Sequence, residues 1–569
     1  MAAARTYLLA TAALAAAVAV LVGVSLPPPR HPLERSFDDG TIAGVIHVHT
    51  NRSDGRGGPE EVAAAAARAG LKFVVFTDHG DATRTPDLPV YRSGVLCLDA
   101  VEISTTGGHY LALDMPAAPY PLGGDARGVV EDVKRLGGFG VVAHPNSPKA
   151  DLNWDEWDLD FDAIEWLNPD TSWRMKIGVP GWRTRWHIVT TLAGYPFRSP
   201  ETIAHLIGGT ELDEKRWESF AFRRRVVLLA GADAHARVAL TGGEPSGRLS
   251  IPLPSYESSF RTLSVRVRPD RPLTADPTRD ATTVMQAIRR GHVYIAVDGV
   301  ASPPAFEFTA SNASGTARQG DELPAGGPVT VRLRSNAPSS FQTMLWRDGT
   351  LLTTARDESE MRYAAPAEPG IYRAAIVAPP EEGSVPWVVS NPIYVGVRFQ
   401  PPSAAATVVS SSRVLFDGRT TKWWRTETDP ASLAAIDLAQ TLSGGELRMR
   451  YGLSGGSSAG QYAALGLELP NGAAPFDRVT FTARTEQPVR IAVQFLPLGR
   501  AEGWERSLYI DNVSRSYTIR FDEATPIITA RMPHPAPENI HDILFVVDIR
   551  HAKPGASSLL WLKSAELQR

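Results

Sequence analysis

Six of the nine histidines in the first 235 residues of this 569-residue chain fall with a set of acidic residues in an order suited to holding several metal ions. They run His47-Val48-His49, Ser53-Asp54-Gly55, Thr77-Asp78-His79, Glu102, His109, His144-Pro145 and Asp233-Ala234-His235. Imidazole and carboxylate are the donors that divalent transition ions favour. Side chains two apart on a strand point to the same side, so His47 and His49 can converge on one ion, and Asp233 and His235 repeat the spacing. Two cations about 3.5–4 Å apart lower the pKa of a shared water and present hydroxide at neutral pH. Nearby positive charge then neutralises the oxygens of the group under attack. Arg52, Arg56 and Arg84 lie in the neighbouring loops and are candidates for that role.

Nearly all these residues end an apolar, strand-like run. Gly44–Val48, Leu71–Phe76, Leu98–Ile103, Tyr110–Leu113, Phe139–Ala143, Ala163–Leu167 and Val226–Ala230 read as strands. Helical stretches alternate with them; Pro59-Glu60-Glu61-Val62 opens an Ala-rich helix that Gly70 closes. Leu98–Ile103 and Tyr110–Leu113 form a candidate hairpin. This texture predicts an α/β barrel built largely of parallel strands, with its chemistry at their C-terminal ends. A Trp- and Arg-rich insertion at about 170–225 is too long for a plain connection and reads as a partly helical lid.

Taken together, the order His47-Val-His49-Thr50, Ser53-Asp54-Gly55, Thr77-Asp78-His79, Val101-Glu102-Ile103-Ser104, His109, Ala143-His144-Pro145 and Gly231-Ala-Asp233-Ala-His235 resembles the polymerase and histidinol phosphatase (PHP) family of metal-dependent phosphoesterases. The resemblance covers about Ile42 to Val300. It implies a distorted (β/α)7 barrel similar to a TIM barrel and two or three bound ions, commonly zinc, manganese or iron. It also implies roles. His47, His49, Glu102 and Asp233 would hold one ion, Glu102 would bridge to a second completed by His144 and His109, and Asp54, His79 and His235 would hold a third. Asp78 is expected to orient a ligand. Glu102, Asp233, His144 and Asp78 are thus the candidate catalytic residues. The implied activity is hydrolysis of a phosphate monoester or diester, on a phosphorylated small molecule or surface polymer.

The remaining chain has a different texture. Residues 38–300 are assigned to the barrel, 301–400 to an Ig-like β-sandwich, and 405–569 to a second sandwich resembling a galactose-binding-type jelly roll, after a linker at Pro401-Pro402-Ser403. Trp423-Trp424 and Trp561 in the last segment raise carbohydrate binding as a possible role. Residues 1–30 carry one positive charge at Arg5 and then a charge-free run from Tyr7 to Leu26, which predicts a transmembrane anchor or signal and an extracytoplasmic bulk, secreted if the segment is cleaved. A formal charge of −4 gives no pull toward nucleic acid as a bound partner, which stays open as a substrate. The single cysteine, Cys97, excludes an intramolecular disulfide framework. Two other readings follow from the same residues: a non-catalytic cell-surface adhesion or glycan-binding protein, and a metal-dependent hydrolase of C–N or ester bonds.

Overall fold

The computed structural model describes the chain apart from residues 1–12, most of 14–25, 208–213, 240–249, 252, 400–408, 442–443, 457–459 and 528–529. The expected linker at Pro401-Pro402-Ser403 and much of the N-terminal apolar run lie outside the described residues. The chain divides into two compact units. One holds residues 1–80, 86–116 and 133–401, the other 81–85, 117–132 and 402–569.

The first unit starts with β1 (Ile42–Val48), α1 (Pro59–Arg68), β2 (Phe73–Phe76), β3 (Val95–Asp99), β4 (Val101–Thr105) and β5 (Gly108–Leu113). Helix α2 (Ala126–Arg135), most of which belongs to the second unit, precedes β6 (Phe139–Val142) and β7 (Ala163–Leu167). Four helices follow: α3 (Pro169–Gly178), α4 (Trp182–Gly194), α5 (Ser199–Leu206) and α6 (Glu214–Ala221). Then come β8 (Val227–Ala234), α7 (Tyr256–Thr262), β9 (Ser264–Val267), α8 (Pro277–Arg289) and β10 (Val293–Ala296). Strand β1 reads IAGVIHV and is buried on both faces, which is why apolar residues run through it without alternation. In α1, Pro59 sits in the first turn with Glu60 and Glu61, and Arg68 in the last, charges that complement the helix dipole. Its alanine face packs beneath the sheet beside Val62.

Strand β1 pairs in parallel with β2 and β8, and antiparallel with β9. The ring continues through β2–β3, β6–β7 and β7–β8 as parallel pairs, and through β4–β5 and β5–β6 as antiparallel pairs. It closes on itself. Several expectations are corrected here. The chain is mostly β-sheet, with only 17% helix, so a regular (β/α)7 barrel of the TIM type followed by free-standing sandwiches does not describe it. Strands β4 and β5 are joined by a tight turn at Thr106-Gly107, and a turn that short forces antiparallel pairing, where a parallel step needs a helical crossover. Beyond the ring, β10 pairs with Pro386–Ser390, so the sheet runs on into sandwich strands. Phe306, Phe308, Tyr372 and Trp387 fill the core of that second layer.

Among the described residues no helix is long and apolar enough to cross a membrane. This overturns the expected membrane-spanning helix and the extracytoplasmic, membrane-anchored placement drawn from it. Absence of charge is a weak criterion on its own, and seven of the twenty residues from Tyr7 to Leu26 are alanines.

The second unit is dominated by two six-stranded sheets packed face to face. Strict alternation builds its core: Val489, Ile491, Val493 and Phe495 face inward, as do Ile543, Phe545 and Val547 from the neighbouring strand. The opposite side of the strand Val489–Leu496 carries Arg490, which is buried. Its Nε and Nη2 donate to Asp132 at 2.9 and 3.1 Å, and its Nη1 donates to Ser507 Oγ at 3.0 Å. Asp132 also accepts from Tyr120 Oη at 2.9 Å, and Ser507 Oγ donates to Asp125 at 2.7 Å.

Candidate metal centre

The closing ring brings the C-terminal ends of β1 and β8 together with the loops after β2 and β6. His47 lies in β1 and His49 just beyond it, while Asp233 and His235 stand at the end of β8. His79 and Glu102 meet through a parallel bridge between the β2 loop and β4. His109 sits across the hairpin on β5, and His144 follows β6. Three of these residues, His47, His144 and Asp233, have φ of 60, 29 and 45°, left-handed values that non-glycine residues rarely adopt. Such conformations cost on the order of 1–3 kcal/mol each and persist where the surroundings fix them.

All nine expected ligands fall into four overlapping groups, each with donor atoms within 4.8 Å of one another. They are His49, Asp54, His79 and His235; His47, His144 and Asp233; His47, His49 and Glu102; and His79, Glu102 and His109. Glu102 is the hub. Its Oε1 lies 2.7 Å from His109 Nδ1 and 3.1 Å from His144 Nε2. Its Oε2 lies 3.2 Å from His47 Nε2, 3.1 Å from His49 Nε2 and 3.5 Å from His79 Nδ1. At the outer edge Asp54 Oδ2 stands 3.2 Å from His235 Nε2 and 3.8 Å from His79 Nε2.

Two further observations fit this donor set to metal. His49 is fully buried, and neither of its ring nitrogens makes a well-directed hydrogen bond, although Nε2 lies 3.1 Å from Glu102 Oε2. Burial and the nearby charge of His235 push its pKa down to about 4, so the imidazole is neutral, with the lone pair of one ring nitrogen to offer. A buried polar group without a partner is costly unless something coordinates it. The second observation is the charge balance. Burial opposes the ionised form of Glu102, yet His47, His109 and His144 hold its carboxyl well below the usual range. Asp233 and Asp54 are likewise depressed against burial, Asp233 chiefly by His47 and Asp54 chiefly by His235.

These shifts fix a pH dependence for the metal-free chain. Burial alone would lower His144 and His235, but Glu102 and Asp54 respectively raise each to about 9. Glu165, Glu102 and Asp233 likewise raise His47. Against an unfolded value of about 6.5, raised histidines stabilise the fold fully below that pH and lose the contribution as pH climbs to about 9. His49 has the opposite sign and adds stability as pH rises from about 4 to 6.5. The metal-free protein is therefore expected to be most stable near pH 6.5, with a melting temperature that falls toward pH 9. Loaded with zinc or manganese it should lose that decline, because binding displaces the same protons. A metal-free melting temperature that is flat from pH 6.5 to 9 would contradict this.

Asp78 joins none of the four groups. Its carboxylate accepts from Thr50 N–H, Thr50 Oγ1 and Ser53 Oγ, each at 2.7 Å, and so pins the loop that presents Asp54. The arginine candidates lie in the loops around the site. Arg52 pairs with Asp87 and approaches Asp99 at 3.5 Å, Arg84 Nη1 donates to Thr85 O, and Arg56 is held by its backbone N–H to His235 O at 2.9 Å. Arg174 on α3 is paired with Asp170, and Asp170, Asp233 and Asp151 outweigh burial in raising its pKa.

Sequence reasoning missed Glu165. It is fully buried in β7, where His47 Nδ1 donates to its Oε1 at 2.5 Å, and its Oε2 accepts from His144 N–H at 2.7 Å and Asn168 Nδ2 at 2.9 Å. It thus fixes which nitrogen of His47 faces Glu102. Gly231 leaves room for it, since a Cβ there would come within 1.8 Å of Glu165 Oε1. The available signal was a lone carboxylate inside the apolar strand Ala-Ile-Glu-Trp-Leu. Glu165→Gln should lower metal affinity about 10–100-fold, measured by competition with a chelating dye, and unchanged affinity would remove Glu165 from this role.

No protein-family model matches the chain. An uncharacterized protein of Methanocaldococcus jannaschii is 27% identical over 137 residues, which is 22% of this chain and 80% of that protein. Solved structures similar to part of the chain include a family 11 carbohydrate-binding module of a Clostridium thermocellum cellulase, at 14% identity and a TM-score of 0.24, covering 28% of this chain and 95% of that one. A family 29 carbohydrate-binding module complexed with cellulohexaose is also 14% identical, with a TM-score of 0.20, covering 28% and 93%.

In the second unit, Trp424 is core, packed on Phe416 and Phe545, and Trp561 lies under the Arg484 guanidinium, 3.9 Å from its centroid. Trp423 is 48% exposed and adopts φ 74°.

Proposed function

We propose that the chain is a metal-dependent phosphoesterase acting on phosphate monoesters or diesters. The observation that supports it most is Glu102, one carboxylate whose two oxygens each face a separate set of imidazoles. That arrangement suits two or three zinc, manganese or iron ions, which when bound supply Lewis acidity toward phosphoryl oxygens and an acidified water. His47, His49, Glu102 and Asp233 would hold the first, His109 and His144 would complete the second, and Asp54, His79 and His235 the third. The protein's own groups do the positioning. Glu165 orients His47, Asp78 holds the Asp54 loop, and Arg174 brings a fixed positive charge toward substrate oxygens at the side of the site lined by Asp233.

Purified protein loaded with manganese or zinc should release nitrophenol from p-nitrophenyl phosphate or its bis ester, and His144→Ala should not. Equal release by His144→Ala would defeat the site assignment. Hydrolysis of acetate esters or amides alone would favour a metal-dependent C–N or ester hydrolase. No release under any metal would favour the second reading, a glycan-binding protein, for which the exposed Trp423 is the specific observation. That reading requires Trp423→Ala to weaken binding on a glycan array.

A further inference from the structure

Helix α4 is built inside out. Trp182, Trp186 and Val189, at positions i, i+4 and i+7, form one face of it, and they are 73, 53 and 50% exposed. Thr184, Ile188 and Thr191, the same spacing two residues on, face inward, with Thr191 buried. A surface helix ordinarily turns its apolar stripe to the core. The exposed apolar surface extends backward along the chain through Met175, Ile177 and Val179.

The charge around this face has one sign. Between Thr171 and Pro200 there are five Lys and Arg and no Asp or Glu. Arg185, exposed, lies on the same side as the tryptophans, at i+3 from Trp182. Contiguous exposed apolar surface marks an interaction site. Tryptophan beside arginine, without acidic residues, is the composition of a helix lying in the interface of a bilayer: indole settles at headgroup depth and the guanidinium meets phosphate. Arg174, Lys176 and Arg198 are engaged by Asp170, His205 O and Pro27 O, so the exposed cation of this face is Arg185, which an anionic headgroup would answer. A second copy of this chain would bring the same positive face against itself.

We infer that α4 and the segment before it form a reversible docking surface for an anionic phospholipid bilayer. The contact is peripheral and lies in the plane of the headgroups, with no span of the membrane. It deepens the phosphoesterase reading only in placing the metal centre beside a lipid surface, and its test requires no turnover.

The test uses the full chain. Cys97 is the only cysteine and is buried, so an environment-sensitive fluorophore on Val189→Cys reports this face alone. Vesicles of equal parts phosphatidylglycerol and phosphatidylcholine should shift its emission to the blue, vesicles of phosphatidylcholine alone should not, and added salt should reverse the shift. The same label on Leu351→Cys, exposed on a different strand, should stay unchanged. Arg185→Glu, and separately Trp186→Ser, should each raise the lipid concentration for half-maximal shift at least tenfold. No shift with anionic vesicles overturns the proposal, as does an equal shift from Leu351→Cys or from neutral vesicles. A shift that grows with protein concentration in the absence of lipid also overturns it, by assigning the face to a second copy. The salt and lipid-charge comparisons use one labelled protein, so they decide the matter even if a surface variant folds poorly.

Discussion

Glu102→Gln will leave the chain unable to retain metal, and with it the proposed hydrolysis will stop. Five imidazoles stand within 3.5 Å of the Glu102 oxygens. A glutamine has one acceptor oxygen and one donor NH2, so whichever way the amide turns it satisfies one set of imidazoles and repels the other from the ion they would share. Loss of a residue that merely supports a ligand lowers metal affinity about 10–100-fold, and loss of the shared ligand itself should exceed about 100-fold. The metal-free fold will weaken too. His47 and His144 hold their protons because of Glu102 among other carboxylates, and removing one partner of a buried ion pair costs about 3–5 kcal/mol. Elemental analysis of the purified variant and its melting temperature measure both effects. Full metal content in Glu102→Gln would show that the imidazole clusters gather for some other reason.

The second large effect lies in the other unit. Asp132→Asn should lower the melting temperature by roughly 10 °C, on the order of 3–5 kcal/mol. The substitution keeps the size of the side chain but leaves the guanidinium of Arg490, buried and doubly bonded to that carboxylate, with only the more exposed Glu131, 3.3 Å away, as counter-charge. Arg490→Met combined with Asp132→Leu should recover most of the loss, because a matched apolar pair avoids the desolvation of both ions. A single-variant change below about 2 °C would mean that the pair is solvated in solution. The same contact bears on carbohydrate binding. Arg490 and Ser507, from two adjacent strands of that sheet, are engaged by Asp132 and Asp125, and Tyr509 stacks on Tyr120 with centroids 6.2 Å apart. This part of the sheet is therefore covered and presents no open platform for sugar rings, which leaves Trp423 as the place to test.

The donors of the candidate site were legible because metal chemistry restricts them to few residue types and strands restrict their spacing. His47 and His49 reach the same Glu102 oxygen, although His47 itself leaves the extended region at φ 60°. The strands too were legible as apolar runs. The hairpin expected from Leu98–Ile103 to Tyr110–Leu113 is present, but the further antiparallel pairing of that run with Phe139–Val142 was not legible from apolar runs alone. The regular α/β barrel and the membrane-spanning helix were both overturned. The first failed because composition says little about which strands share a sheet; the second has no support among the described residues, where no helix is long and apolar enough to span and where most of the run from Tyr7 to Leu26 is not included. Glu165 was hidden for a different reason. An acid in the middle of a strand signals function only when its buried partner is known, and His47 lies 118 residues away. Arg52, Arg56 and Arg84 were chosen by proximity along the chain, whereas Arg174, on a helix far downstream, feels the charge of Asp233.

One amide joins two parts of the molecule that otherwise have separate tasks. Asn168 Oδ1 accepts from Thr171 N–H to start α3, and its Nδ2 grips the carboxylate that steers His47. The insertion beyond that point is free to lengthen, shorten or change its chemistry over evolutionary time, as long as its first residue stays put. Positions 165 and 168 should therefore drift as a couple: a lineage that abandons the acid at one loses its reason to keep the carboxamide at the other.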